Sequence, residues 1–344
     1  MKEALLYHPA EDRKVNCNLC HHRCLIAPEK VGLCGVHQNI EGKLYSLVYD
    51  RVISAKADPV EKKPFFHFIP GSRSLSIATV GCNFQCLHCQ NYQISQWPRD
   101  TRQSLEKSAS EIPGRSISPH EIVSLAQTHQ CSNIAYTYTE PTIYLELALE
   151  TALLAHQAGI KNLFVTNGYM TPQALETIQP YLDGANVDLK GFDGRKYQQV
   201  CGGHLQPILE NIQQMRKMNI WLEVTTLIIP GHNDSEEEIR EMAHFLGELG
   251  KEIPWHLSVF HPTYRMTGRP QTPLESLHRA RRIGMEEGLR YVYIGNAHGD
   301  PYEDTYCCHC GARLIDRWGY QLKDYRIQRG KCPDCGTHVD GVGW

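Results

Sequence analysis

The sequence predicts an α/β chain in which about six βα units curl into a partial or full barrel, with a small four-cysteine metal module at each end. Three observations predict it. Apolar, β-branched runs alternate with amphipathic helical stretches from residue 74 to residue 294. Polar residues follow each of these apolar runs, as happens where parallel strands end together on one face. The 14 cysteines fall into three tight sets, at 17–34, 82–89 and 307–335, and only Cys131 and Cys201 stand alone. The expected organisation is an N-terminal four-cysteine metal-binding module at 1–45, the barrel at 46–300 and a zinc-ribbon-like module at 301–344.

Composition excludes some classes. A chain of 344 residues can bury a large core, and a net charge of −3 gives no overall pull toward nucleic acid or membrane. The N-terminus lacks the apolar centre of a signal peptide, and no apolar run approaches transmembrane length. A cytoplasmic protein is expected, and its clustered cysteines point to metal rather than disulfides.

In chain order, the first module carries Cys17, Cys20, Cys24 and Cys34 among glycines. A segment with so little core needs a metal staple, and both zinc and an iron–sulfur cluster accept four thiolates. His21, His22 and His37 read as surface residues. Alternation over 43–49 predicts a strand or hairpin, and the proline-rich charged run at 58–67 predicts a connector whose Phe65, Phe66 and Phe68 pack inward.

The first barrel strand, 74–80, runs into Gly81-Cys82-Asn83-Phe84-Gln85-Cys86-Leu87-His88-Cys89. Three thiolates at C-x3-C-x2-C can hold three corners of a cubic iron–sulfur cluster, which leaves the fourth iron open to a substrate or cofactor. The plainer alternatives are a zinc knuckle or three buried thiols, although structural zinc favours four ligands in paired C-x2-C knuckles. Further strands are expected at 133–138, 161–166, 184–189, 221–228, 255–260 and 290–294. Ser118-Pro119-His120-Glu121 reads as a capping box, Thr272-Pro273-Leu274-Glu275 as a second, and Gly159 and Gly288 as helix ends. A polar surface segment spans Arg99 to Arg115. The strand ends bring Glu140, Asn167, Asp188, Lys190, Thr225, His261 and the Asn296–Asp300 run to one face. Taken singly, each also reads as an ordinary loop residue. Glu223 is a weaker candidate, and Cys131 and Cys201 read as inert buried thiols or hydrogen donors.

The tail holds Cys307-x2-Cys310 and Cys332-x2-Cys335, the spacing of a zinc ribbon, with Cys308 as an extra. Arginines and lysines between the knuckles, interleaved with aromatics, suit either a grip on an acidic partner or a solvated face. Nucleic acid is not expected, because Asp316 and Asp324 dilute the charge.

The triad after the first strand of a βα repeat resembles the radical S-adenosylmethionine (SAM) enzymes, and Cys89-Gln90-Asn91 looks like their pyruvate formate-lyase activating branch. The resemblance implies a barrel of the radical SAM type, with a 4Fe–4S cluster on Cys82, Cys86 and Cys89 and SAM on the open iron. It places Glu140 at the amino-group grip, although the Gly-Gly of the usual Gly-Gly-Glu motif is absent here. Asp188 and Lys190 resemble an Asp-x-Lys pair near the SAM methionine and sugar, and Asn167, Thr225 and His261 match pocket positions more loosely. The implied activity is reductive cleavage of SAM to a 5′-deoxyadenosyl radical that takes hydrogen from an unidentified substrate. A one-electron donor such as flavodoxin or ferredoxin would drive it.

The N-terminal module, Tyr-Thr-Glu-Pro-Thr, Val-Asp-Leu-Lys-Gly and Tyr-Ile-Gly-Asn-Ala look like the radical SAM component of the AmmeMemoRadiSam system, which implies Memo-like and AMMECR-type companions. Zinc is expected in the C-terminal ribbon and also in the N-terminal module, where a second cluster is the alternative. Three functions follow: a radical enzyme on a small-molecule or companion-bound substrate, an activase acting on a protein glycine, or a non-catalytic metal-stapled binding module.

Overall fold

The computed structural model describes residues 1–102, 112–297 and 299–344. Much of the polar segment expected between Arg99 and Arg115, and His298 of the Asn296–Asp300 run, lie outside the described residues.

One eight-stranded sheet organises the chain. Its strands are β1 (Ser54–Pro59), β2 (Arg73–Ala78), β3 (Asn133–Tyr136), β4 (Lys161–Thr166), β5 (Gly184–Asp188), β6 (Trp221–Ile228), β7 (Trp255–Val259) and β8 (Val292–Gly295), and they lie side by side in sequence order. β2 to β8 are parallel and β1 is antiparallel to β2. Parallel strands are covered on both faces, which is why β3 is buried at every residue and β2 at all but its first.

The connections are α1 (Pro119–Thr128), α2 (Leu145–Gln157), α3 (Pro172–Ile178), α4 (Gly194–Cys201), α5 (Leu205–Lys217), α6 (Glu236–Leu249) and α7 (Leu274–Glu286). Six βα units and a closing strand therefore make a partial barrel, as expected. The Ser118 capping box is formed, and Gly159 and Gly288 take left-handed φ after α2 and α7.

Two expectations fail locally. Asp58 and Pro59, the start of the connector expected at 58–67, instead end the edge strand β1; a charge and a proline are what edges tolerate, so these positions read as loop. The second capping box does not form. Thr272 Oγ1 instead accepts from Phe260 N at 2.8 Å and donates to Ile228 O at 2.5 Å, joining the ends of β6 and β7. Buried backbone groups at strand ends need a partner more than a helix N-terminus near water does.

The two terminal regions differ. The N-terminal residues form two three-stranded antiparallel sheets, including the expected hairpin His37–Ile40 with Lys43–Ser46. Val15, Leu19, Ile26, Val36 and Leu44 belong to the main core. The C-terminal strands Thr305–Tyr306, Arg313–Trp318 and Gln321–Tyr325 form a sheet over a separate small core of Leu314, Ile315, Ile327 and Val339. This ribbon reaches elements near both edges of the open sheet. Arg317 Nη2 donates to Phe66 O at 3.0 Å, Tyr320 Oη to Asn296 Oδ1 at 3.3 Å, and Ile69 N to Val342 O at 2.8 Å. Of the ribbon arginines, Arg317 is buried over the Phe66 ring, while Arg313 and Arg326 pair with Asp304 and Asp334 at the surface. No helix among the described residues is long and apolar enough to cross a membrane.

Candidate active site

A cavity of 380 Å³ opens where the parallel strands end, within the size range of sites for small ligands. Cys82, Cys86 and Cys89 form part of its wall, as do Glu140, Asn167, Asp188, Lys190 and Thr225. Lys62, Lys63 and Tyr138 also line it, with Gly319 and Tyr320 from the C-terminal ribbon. His261 is not brought to the site: it is exposed and does not line the cavity. The chain turns outward after Phe260, and Ser258 of β7 lines the cavity instead.

Glu140 is buried and both of its oxygens are used internally. Oε1 accepts from Thr142 N at 3.1 Å, Thr142 Oγ1 at 2.6 Å and Thr166 Oγ1 at 2.7 Å, and Oε2 accepts from Asn167 N at 2.8 Å. Burial pushes its pKa up, and these donors oppose the shift. It ties the loop after β3 to the end of β4. The glycine-less motif has a structural answer in Tyr138, which takes φ +64, a conformation that normally favours glycine. Its hydroxyl donates to Asp58 Oδ2 at 2.8 Å and accepts from Lys63 Nζ at 2.8 Å, while Asn91 Nδ2 donates to its carbonyl at 3.0 Å. Burial lowers the Lys63 pKa to about 8, against the pull of Asp58.

Asn167 Nδ2 donates to Asn83 Oδ1 at 2.7 Å, so the ends of β2 and β4 meet beside the cysteines. Lys190 and Asp188 form an ion pair at 2.8 Å on the rim. Thr225 Oγ1 donates to Asn186 Oδ1 at 2.8 Å. His88 is buried, and desolvation drives its pKa down to about 3, so it lines the wall as a neutral ring. Glu223 is structural: it accepts from Phe66 N and His67 N, each at 2.9 Å, and contacts His256 Nε2 at 2.7 Å. Asn83, Lys63 and Tyr138 were not legible as site residues, because their neighbours come from strands remote in sequence.

The triad suits a cluster. Phe84 N donates to Cys82 Sγ at 3.4 Å, and Cys89 Sγ lies 3.1 Å from Ser95 Oγ, so two sulfurs have polar support. Among the described residues, only two sets of three or more ligand atoms lie mutually within 4.8 Å: Cys307, Cys310, Cys332 and Cys335, and Cys86, His88 and Cys201. The three triad sulfurs are not a single-ion set, as is required when each binds a separate iron. Cys201 approaches Cys86 but does not line the cavity, so it lies behind the triad and leaves the cavity side open.

The C-terminal set fits one tetrahedral ion. Cys307 and Cys335 sulfurs are 3.6 Å apart and those of Cys310 and Cys332 3.7 Å, near the ~3.8 Å edge of a tetrahedron with Zn–S arms of about 2.3 Å. Cys308 is exposed and outside the set. The sulfurs of Cys17, Cys20, Cys24 and Cys34 make no comparable single-ion set. His37 is buried rather than on the surface, and its Nδ1 lies 3.6 Å from Cys34 Sγ.

The family described as the radical SAM superfamily matches residues 76–246. An uncharacterized protein of Methanocaldococcus jannaschii is 43% identical over 345 residues, covering 99% of this chain and 100% of that one. The isethionate sulfite-lyase activating enzyme of Oleidesulfovibrio alaskensis is 30% identical over 126 residues, 36% of this chain and 39% of that enzyme. In fold, Streptococcus suis SuiB bound to S-adenosylmethionine aligns with a TM-score of 0.51 at 13% identity, over 69% of this chain and 55% of that one.

Proposed function

The chain belongs to the radical SAM superfamily, and we propose that it takes hydrogen from a small molecule held in the cavity beside Cys82, Cys86 and Cys89. The observation that carries this reading is the ribbon's share of the cavity lining. Gly319 and Tyr320 of the ribbon line the cavity, where a protein loop carrying a target glycine would need a groove.

Cys82, Cys86 and Cys89 would hold a 4Fe–4S cluster, and Asn167, Asp188, Lys190 and Thr225, which line the same cavity, would hold SAM. Together, when bound and reduced by one electron, these groups supply a carbon-centred radical able to attack an unactivated C–H bond. The chain's residues orient and exclude. Glu140 sets the backbone of the loop after β3 and the Asn167 amide. The Asp188–Lys190 pair offers both charges to a zwitterionic ligand. Tyr138, held left-handed by Asp58 and Lys63, places the Thr139 backbone against the cavity. The ribbon hairpin keeps water from a reactive site.

Zinc in the C-terminal set, a flavodoxin- or ferredoxin-class electron donor and a place in the AmmeMemoRadiSam system complete the proposal. The grouping of the cysteines into metal-ligand sets supports a reducing, cytoplasmic setting. The second reading, an activase for a protein glycine, is favoured by the similarity to activating enzymes.

One experiment separates the two readings. The anaerobically reconstituted protein is reduced with dithionite and given SAM and a deuterated cell extract. Deuterium in 5′-deoxyadenosine from a protein-free filtrate supports the small-molecule reading. Deuterium that appears only when macromolecules are retained supports the activase. No 5′-deoxyadenosine under any condition rejects both.

A further inference from the structure

Cys17, Cys20, Cys24 and Cys34 are built to bind metal. Cys17 and Cys20 are buried and Cys24 and Cys34 half-buried, and Cys34 Sγ lies 3.6 Å from His37 Nδ1. Yet no three of these sulfurs lie mutually within 4.8 Å among the described residues, whereas all four in the C-terminal set do. One tetrahedral ion draws its sulfurs to ~3.8 Å; a cluster, with one cysteine on each iron, holds them farther apart.

The group also abuts the triad loop. His22 Nε2 lies 3.0 Å from Asn83 O. Arg99 donates to Leu33 O at 2.7 Å and to Cys82 O at 3.0 Å. A Cβ on Gly81 would stand 3.0 Å from Cys34 O. Asn83 is 1% exposed. Its Nδ2 is buried without a hydrogen-bond partner among the described residues, while its Oδ1 lies 3.8 Å from Cys82 Sγ.

We propose that the four N-terminal cysteines hold an iron–sulfur cluster that passes electrons through Asn83 to the centre on Cys82, Cys86 and Cys89. The balance is one electron in, from an external donor of the flavodoxin or ferredoxin class, and one electron out to the triad centre. No bond is made or broken. The proposal rests on the radical SAM reading of the triad.

The test uses the full chain in which Cys82, Cys86 and Cys89 are all replaced by alanine, reconstituted anaerobically beside the wild type. Iron and zinc are counted, and EPR spectra are taken after dithionite. The expected result is roughly half the wild-type iron, since one of two clusters remains, with a reducible signal. No iron, with a second equivalent of zinc, would overturn the proposal and leave SAM cleavage by the wild type untouched. Failure of the wild type to cleave SAM, with iron retained in the variant, would sink the function and spare the cluster.

Should the triple variant not fold, the complementary change Cys17→Ser with Cys20→Ser decides: roughly half the iron is expected to go, and unchanged iron overturns the proposal. The route is tested by stopped-flow reduction with reduced flavodoxin. Asn83→Leu should slow arrival of the electron at the triad centre by roughly tenfold, and equal rates refute the route through Asn83.

Discussion

In the C-terminal module paired sulfurs stand 3.6 and 3.7 Å apart, two of the four cysteines are exposed, and the strands enclose their own small core. In the N-terminal module no three sulfurs lie mutually within 4.8 Å, none of the four cysteines is exposed, and the surrounding apolar side chains belong to the barrel core. His37 links Cys34 to Glu146 of α2, with Nε2 3.8 Å from the carboxylate. Four cysteines thus serve two purposes. At one end a metal substitutes for a core that a short ribbon cannot build; at the other the module is an inner wall of the barrel, pressed against the triad loop.

The largest expected effect comes from breaking the ribbon. Structural zinc supplies on the order of 10 kcal/mol of folding free energy in small zinc modules. Cys332→Ser should therefore release zinc and unravel residues 305–344, while the barrel keeps its iron. Zinc counting and limited proteolysis check this; loss of iron in parallel would mean the modules are not separate.

Glycine substitution gives the next effect and the sharpest contrast. Gly81 has φ +98, and a Cβ there would meet Val36 at 2.8 Å. Gly81→Ala should cost about 2–5 kcal/mol through backbone strain and overpacking, lower the melting temperature and suppress SAM cleavage. Gly311, at φ +73, has open space around it, so Gly311→Ala should cost about 1–2 kcal/mol and leave SAM cleavage unchanged. Equal costs would contradict the difference between the modules.

Arg99→Met is smaller. It removes donors to Leu33 O, Cys82 O and Phe84 O, for a loss of about 2 kcal/mol. Hydrogen exchange should quicken at the N-terminal module and triad loop and stay unchanged in the ribbon.

The smallest effect is on pH dependence. Burial lowers the His67 pKa from 6.5 to about 4. The unfolded chain takes up the proton first, so this contribution is present above pH 6.5 and is lost as pH falls toward 4. His67 joins Tyr293 to Asp340 near the ribbon, with contacts of 2.5 Å on each side. The melting temperature should drop over that window, and His67→Gln should flatten the drop.

Local pattern determined the βα alternation, the cysteine sets, the Ser118 cap and the strand-end face carrying Glu140, Asn167, Asp188, Lys190 and Thr225. These follow from periodicity and from side chains adjacent in sequence, and adjacency survives folding. Only the tertiary structure decided that His261 faces outward, that Thr272 ties two strands instead of capping a helix, and that His37 is buried beside Cys34. It also decided that Tyr138 occupies the left-handed position of an absent glycine, and that Asn83 of the triad loop meets His22 of the N-terminal module. Each of these depends on which buried polar group lacks a partner once distant strands come together, a quantity that does not exist until the chain has closed.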